Sequence, residues 1–224
     1  TKPLVIASGQ SPRELNRLDF KNWARTPPSV QERIVESLNA LAKRVDAMVL
    51  LEQVDEADTG VFAGGVLDAL GQIRRDNPDK LILADSRRGL GHFPSVGLKM
   101  NREEFAVLTG ETAVLPMDDL FGAIERLATD RGQPVFVSLS EDGIAGAKQG
   151  KAPEHVPCLP LRGEIDIVGA GDAVMANLSM ALAAGAEIIE AMRFSMAAAS
   201  VVVHQLGTTG TASLEEIRPL VCAH

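Results

Sequence analysis

The sequence predicts an α/β fold built on a mostly parallel central sheet, and three observations predict it. Short apolar runs bounded by turn residues recur along the chain, stretches with apolar residues at helical spacing separate them, and a glycine turn, Gly169-Ala170-Gly171-Asp172, precedes a long small-residue segment. Strands of a parallel sheet covered on both faces read as continuous apolar runs, and right-handed helical crossovers join them. At 224 residues and 46% hydrophobic content the chain can bury a substantial core, and one domain over residues 1–224 is expected.

Lys2 to Ser8 and the stretch around Leu18-Asp19-Phe20 read as strands, with the polar segment Gly9 to Leu15 between them. Pro27-Pro28-Ser29 then stops the chain. Ser29 is the expected cap of a helix carrying Ile34, Leu38, Leu41 and Val45, with Glu32 as its capping-box acid. Met48 to Leu51 reads as a short buried strand. A helix through Val66, Leu67, Leu70 and Ile73 follows, and Asn77-Pro78 ends it. Leu81 to Ala84 is the next strand, and it delivers Asp85 at its carboxyl end, where ligands bind in open parallel sheets.

Val96 to Met100 reads as another strand, running straight into Asn101-Arg102-Glu103-Glu104 and a short helix that ends near Gly110. Asn101 and Glu104 stand at capping-box spacing. Asp118-Asp119 opens a helix through Leu120, Ile124 and Leu127 that ends by Gly132. Pro134 to Ser140 is a fifth strand, turned by Glu141-Asp142-Gly143 into a hairpin partner, Ile144 to Lys148. His155 to Leu161 is expected at an edge, because prolines 157 and 160 cannot donate to a central ladder. Ile165 to Val168 reads as a strand leading into the glycine turn, and a helix then runs to Ala184. Helices over Ile188 to Gln205 and Leu214 to Val221 close the chain, joined by a Thr/Gly loop, Gly207 to Thr211.

The glycine turn is the centre of the functional reading. The first turn of a helix has unpaired N–H groups and the positive end of the dipole, so it suits a phosphate. Gly169 and Gly171 allow close approach of a charged group to the amides. Asp172 beside such a site would repel an anion, which makes sense for a general base that takes a proton from a hydroxyl. The same carboxylate also suits the helix dipole with no chemistry at all. No GxxxxGK[ST] occurs, and the third glycine of GxGxxG would fall at Val174, so neither the P-loop nor the dinucleotide fingerprint applies.

Composition narrows the partners. The net charge is −8 with dispersed basic residues, which argues against nucleic acid and anionic membrane. Cys158 and Cys222 make no disulfide framework, so a reducing cytoplasm is the expected compartment. The four histidines lack zinc spacing, and no apolar run reaches the ~20 residues that span a bilayer. No leader pattern opens the sequence, and the chain reads as a piece of something longer.

Several of these features together resemble the ribokinase-like superfamily, within it the sugar-kinase family named after the minor phosphofructokinase. Asp166-Ile-Val-Gly-Ala-Gly-Asp172 looks like that family's D-T-x-G-A-G-D signature, and Asn101-x-x-Glu104 looks like its N-x-x-E motif. Ala197 to Ile217 and Glu14 to Phe20 look most like the branch that phosphorylates heptose 7-phosphate. The resemblance implies a three-layer α/β/α kinase that uses ATP and Mg²⁺ on a sugar or sugar-phosphate substrate. It implies Asp172 as catalytic base, with the amides of Gly169, Ala170 and Gly171 stabilising charge on the transferred group. It implies Asn101, Glu104 and nearby Asp85 as organisers of Mg²⁺ and its waters. Asp166 would help bind a monovalent cation such as K⁺ with carbonyls of the loop at Gly207 to Thr211, and Ser138 and Gly143 would contact ATP.

The sequence departs from the pattern at Ser140, where the phosphate turn has its middle glycine, at Ile167, where the signature has Thr, and at Met196, where an asparagine often stands near the adenine. The substrate-binding strands and most of the lid do not precede Thr1, and residues 1–20 read as the remnant of the lid and its return. A sheet cut at its first strands would leave an exposed edge, so a homodimer is among the expected assemblies. The alternative to a sugar kinase is a nucleotide-binding module without catalysis, or another ribokinase-like small-molecule kinase.

Overall fold

A six-stranded sheet forms the middle layer of the structure, a computed structural model that describes residues 3–7, 13–15 and 21–222. Its strands are β3 (Ala47–Glu52), β4 (Leu81–Ser86), β5 (Gly97–Asn101), β6 (Val135–Ser138), β7 (Ile144–Ala147) and β8 (Glu154–Val156), adjacent in chain order. β3 to β6 run parallel, whereas β7 and β8 add antiparallel. A separate two-stranded ribbon pairs β1 (Leu4–Val5) with β2 (Arg13–Glu14).

Strand alternation divides the helices between two layers. Met48, Leu50, Ile82, Ala84, Leu98, Met100, Val135 and Val137 point to one face. There they meet α1 (Pro28–Ala42), α2 (Gly64–Asp76), α3 (Arg102–Thr109) and α4 (Met117–Arg131) through residues such as Leu70, Phe105 and Ile124. Leu83, Phe136 and Ile144 point to the other face, against Met175 and Leu178 of α5 (Ala170–Ala183) and Met192 of α6 (Ile188–Val203). α7 (Leu214–Cys222) packs on α6 through Ile217, Ala197 and Ala198. Each large apolar side chain so buried contributes about 1.5–3 kcal/mol. Helices on both faces of a largely parallel sheet make the α/β/α sandwich that the sequence predicts.

Four expectations need correction. Ile165 to Val168 is not a strand: β8 is the last strand of the sheet, and the segment turns away from it. Its backbone is satisfied otherwise, Asp166 N–H donating to Val203 O (2.8 Å) at the end of α6, and Ile167 is 73% exposed. Ser29 does not cap α1. The helix begins at Pro28 with Pro27 as cap, because proline dihedrals are already set for a first turn, and no side-chain cap or Glu32 box forms. The edge strand stops at Val156, before the first of the two prolines. At the amino end, the strand expected over Lys2 to Ser8 is limited to Leu4–Val5, and it pairs with Arg13–Glu14 inside the segment expected to be a turn. Leu18-Asp19-Phe20 lies outside the described residues.

Candidate active site

The same alternation that builds the core brings polar groups together at the carboxyl ends of the strands. Asp85 on β4 and Lys99 on β5 follow Leu83 and Gly97, a registered pair, so both face α5. Lys99 Nζ lies 2.9 Å from Asp85 Oδ2, and the lysine side chain is 9% exposed against 27% for the aspartate. A buried ammonium needs such a partner. The pair also touches the glycine turn, since a Cβ added at Gly171 would lie 3.6 Å from Lys99 Nζ. One lysine therefore stands under the amino terminus of α5, where the helix dipole is also positive.

Gly169 is the N-cap of α5 in the left-handed region (φ 86°). A side chain there is impossible for a second reason, because its Cβ would overlap Thr209 O. Of the amides expected to hold an anion, Ala170 N–H already donates to Ile167 O at 3.1 Å. Those of Gly169, Gly171 and Asp172 meet no acceptor among the described residues. Gly169 and Gly171 of the expected three are therefore free, with Asp172 N–H beside them in place of Ala170. Asp172 is exposed in the first turn of the helix, beside these amides.

Asp166 and Gly207 come together through the main-chain N–H of the glycine and not its carbonyl. Asp166 Oδ2 accepts Gly207 N–H (3.2 Å) and its Oδ1 accepts Val168 N–H (3.0 Å). Gln205 closes the following loop like a rung, donating to Thr211 O at 2.8 Å and accepting Thr211 N–H at 2.9 Å. That closure presses Thr209 O against Gly169 and fixes the turn.

Asn101 ends β5 and caps α3. Its side chain accepts Glu104 N–H at 2.8 Å, and Glu104 Oε2 accepts Asn101 N–H at 2.8 Å, a complete capping box. Asn101 is paired with Ser138 on β6, so the two sequence motifs are neighbours in the sheet. After Ser138 comes a 3₁₀ turn, Ser140–Asp142, ending at Gly143 (φ 97°), where a Cβ would overlap Val156 O. Ser140 holds φ 52°, the left-handed conformation that a glycine adopts at lower cost. The segment after β7 braces the turn: His155 Nε2 donates to Asp142 O (2.6 Å) and Cys158 Sγ to Ser140 O (3.2 Å). Burial pushes the Cys158 thiol up, keeping it a proton donor. Met196 is buried among the α5–α6 apolar residues.

Among the described residues no three His, Cys, Asp or Glu side chains gather into a metal cage. Asp85 on β4, Asn101 at the end of β5 and Glu104 in the first turn of α3 nevertheless offer hard oxygen atoms, each already holding one protein donor. That set fits Mg²⁺ retained chiefly by its waters and by substrate phosphates. Asp166 and the 207–211 loop also carry oxygen donors, with both Asp166 oxygens accepting main-chain N–H groups and Thr211 O accepting Gln205.

The sequence reading missed two features. Lys99 was one, although a lysine inside the apolar run Val96 to Met100 is a visible signal. The other is a buried carboxylate: Glu52, 3% exposed at the end of β3, accepts Ser86 Oγ–H (2.5 Å) and the Arg88 guanidinium (3.1 Å). His92 Nε2 stands 3.0 Å away without hydrogen-bond alignment, and burial lowers the His92 pKa. This cluster faces the α1–α4 layer, opposite Lys99, and ties the 86–92 connection to β3. Two cavities of about 300 and 780 Å³ lie along α6 and α7; the smaller is lined by Val156, Cys158 and Met196, and neither by Asp85, Lys99, Asn101 or the glycine turn.

A sheet of this order, with an acid–lysine pair beneath a glycine-capped helix, defines a ribokinase-like α/β protein. Solved structures agree: phosphofructokinase-2 from Escherichia coli in complex with potassium aligns with TM-score 0.73 at 19% identity, over 95% of this chain and 66% of that one. Arabidopsis thaliana ribokinase complexed with ribose and ATP aligns with TM-score 0.65 at 20% identity, over 96% and 66%. The pfkB family carbohydrate kinase model matches residues 95–215, and the chain belongs to that family. Curated relatives include the bifunctional protein HldE of Pelobacter propionicus, 27% identical over 100% of this chain, and that of Shewanella baltica, 29% identical over 100%. The chain spans 44% of the length of each. Among the described residues no helix is long and apolar enough to cross a membrane.

Proposed function

We propose that this chain is the catalytic and nucleotide-binding part of an ATP-dependent sugar kinase, folded as one kinase domain. The observation that carries the reading is Lys99 Nζ beneath the amino terminus of α5, with Asp172 in that helix's first turn. Two positive features converge on one point beside a carboxylate. With Asp85 balancing the lysine, the helix terminus and the ammonium together favour a bound anion, and the Asp172 carboxylate stands where a hydroxyl proton is to be taken.

In this reading the amides of Gly169, Gly171 and Asp172, with Ala170 shaping the turn, hold the transferring phosphoryl group together with Lys99. Asp172 accepts the proton of the sugar hydroxyl as its oxygen bonds to the γ-phosphorus. The bond to the β–γ bridging oxygen breaks, and ADP leaves with that electron pair. Ser138 and Gly143 cradle the nucleotide phosphates. Asn101, Glu104 and Asp85 would hold the waters of Mg²⁺, which neutralises phosphate charge when bound. Asp166 and the Gly207 loop would hold a monovalent cation, K⁺ being the natural candidate beside the potassium complex of the phosphofructokinase-2 neighbour. A phosphorylated acceptor, heptose 7-phosphate, follows from the likeness of Ala197 to Ile217 and Glu14 to Phe20 to that branch and from the HldE relatives. The exposed apolar residues Leu4, Val5 and Ile6 support a homodimer.

The test is Asp172→Asn in the full-length protein, assayed with heptose 7-phosphate, ATP and Mg²⁺. Phosphoryl transfer should fall by at least about 10³-fold while ATP binding survives. Ordinary turnover in the variant refutes the assignment. The non-catalytic alternative, which rests on the missing sugar site and on Ser140 and Met196, predicts ATP affinity without turnover of any sugar in the full-length protein.

A further inference from the structure

Arg102 occupies a position that its own helix disfavours. It is the first residue of α3, where the dipole favours anions, and it follows directly on the cap Asn101. Local rules are broken most often where a site requires it. Its guanidinium leaves the helix to span two other segments: NH2 donates to Leu115 O (2.6 Å), in the connection to α4, and NH1 stands 3.9 Å from Asp142 Oδ2. Nε is buried without a hydrogen-bond partner. The side chain is 24% exposed, and a main-chain carbonyl does not neutralise it.

Asp142 belongs to the turn between Ser138 and Gly143, and its other side is held by His155 through the main-chain carbonyl. Asn101 and Ser138 are register partners, so Arg102 and this turn begin from adjacent strand ends. Arg131 makes a useful contrast. It also has an unpartnered buried Nε, but among the described residues it donates only to the carbonyls of Phe93 and Pro94 and approaches no carboxylate.

We propose that Arg102 is a positioning residue: anchored on Leu115 O, it holds Asp142, and with it the Ser138–Gly143 turn, in register with the Asn101–Glu104 helix start. This rests on the kinase reading, in which the turn binds nucleotide phosphates. The planar fork matters because a guanidinium donating to Leu115 O still turns a second nitrogen toward Asp142, 3.9 Å away, which an ammonium cannot do at fixed geometry. The phosphates bound by the turn are not the transferred group, so misplacing it weakens substrate and transition state alike. Such a loss raises KM and leaves kcat in place.

The experiment is a double-mutant cycle in the full-length protein, Arg102→Met, Asp142→Asn and both together. The readouts are calorimetric Kd for ATP and steady-state KM and kcat. Each single change should raise Kd and KM about 5- to 10-fold with kcat within about twofold, and the pair should cost no more than either alone. Arg102→Lys should behave as Arg102→Met. Multiplying effects in the double variant, or binding restored by lysine, would mean direct contact with phosphate and overturn the proposal. A fall in kcat equal to that in kcat/KM would overturn it too. Asp142 is 54% exposed, so Asp142→Asn gives a folded variant that decides the matter even if Arg102→Met fails to fold. Wild-type protein that binds no ATP removes the kinase reading and this inference together. Wild-type protein that binds ATP with an additive cycle removes this inference alone.

Discussion

Replacing Lys99 by methionine separates the two jobs assigned to it. The ammonium is 9% exposed and pairs at 2.9 Å with an aspartate that keeps 27% exposure. Breaking a fully buried pair costs about 3–5 kcal/mol, and water reaching Asp85 reduces this, so Lys99→Met should lower unfolding free energy by about 2 kcal/mol. On the chemistry, a hydrogen bond to a charged group is worth about 1.5–3 kcal/mol, which converts to roughly 10- to 150-fold in kcat/KM. Urea unfolding gives the first quantity and steady-state kinetics the second. Asp85→Asn is the companion variant: it removes the counter-charge and keeps the ammonium under α5, so it should lose stability without a comparable loss of phosphate affinity. A Lys99→Met enzyme with kcat/KM within about threefold of wild type would show that the lysine serves only the strand pair.

Three further outcomes follow from local geometry. Gly143→Ala should destabilise by about 3 kcal/mol or more, because the added methyl overlaps Val156 O and φ is 97°; a small change in urea midpoint would contradict this. Burial holds the His92 pKa below its unfolded value, so the folded state binds fewer protons and stability should fall as pH drops below about 6.5. His92→Gln should flatten that slope in melting experiments at pH 5 to 7, and an unchanged slope would assign it elsewhere. Because burial raises the Cys158 pKa and Cys222 is exposed, alkylation followed by mass should modify Cys222 first.

The strands were legible because a buried parallel strand leaves an apolar run that little else produces. Asn101 and Glu104 were legible because their spacing is set by one helical turn, whatever their further role. The misreadings have a common physical origin. Ile165 to Val168 has the composition of a strand, but a strand also needs a partner, and β8 closes the sheet before the chain reaches it. Ser29 has the chemistry of a cap, but two prolines fix the cap and the helix start two residues earlier. In both cases a local preference was overruled by a neighbour that composition does not display.

Lys99 shows the converse. Within the run Val96 to Met100 it counts as one polar residue among apolar ones, and its meaning lies in the period-two alternation that turns it away from Leu98 and Met100 toward Asp85 and Gly171. Asp85 reads as a ligand-facing acid from its place after an apolar run and as a Mg²⁺ organiser only through the family resemblance, and in the structure it pairs with this lysine. If the two share a phosphoryl site, the carboxylate tunes how much positive charge the anion meets. Asp85→Asn should then tighten the binding of ATP without Mg²⁺ and weaken the advantage that Mg²⁺ confers. Calorimetric titration of ATP with and without Mg²⁺ reads both quantities. Equal Mg²⁺ dependence in wild type and variant would confine Asp85 to holding Lys99 in place.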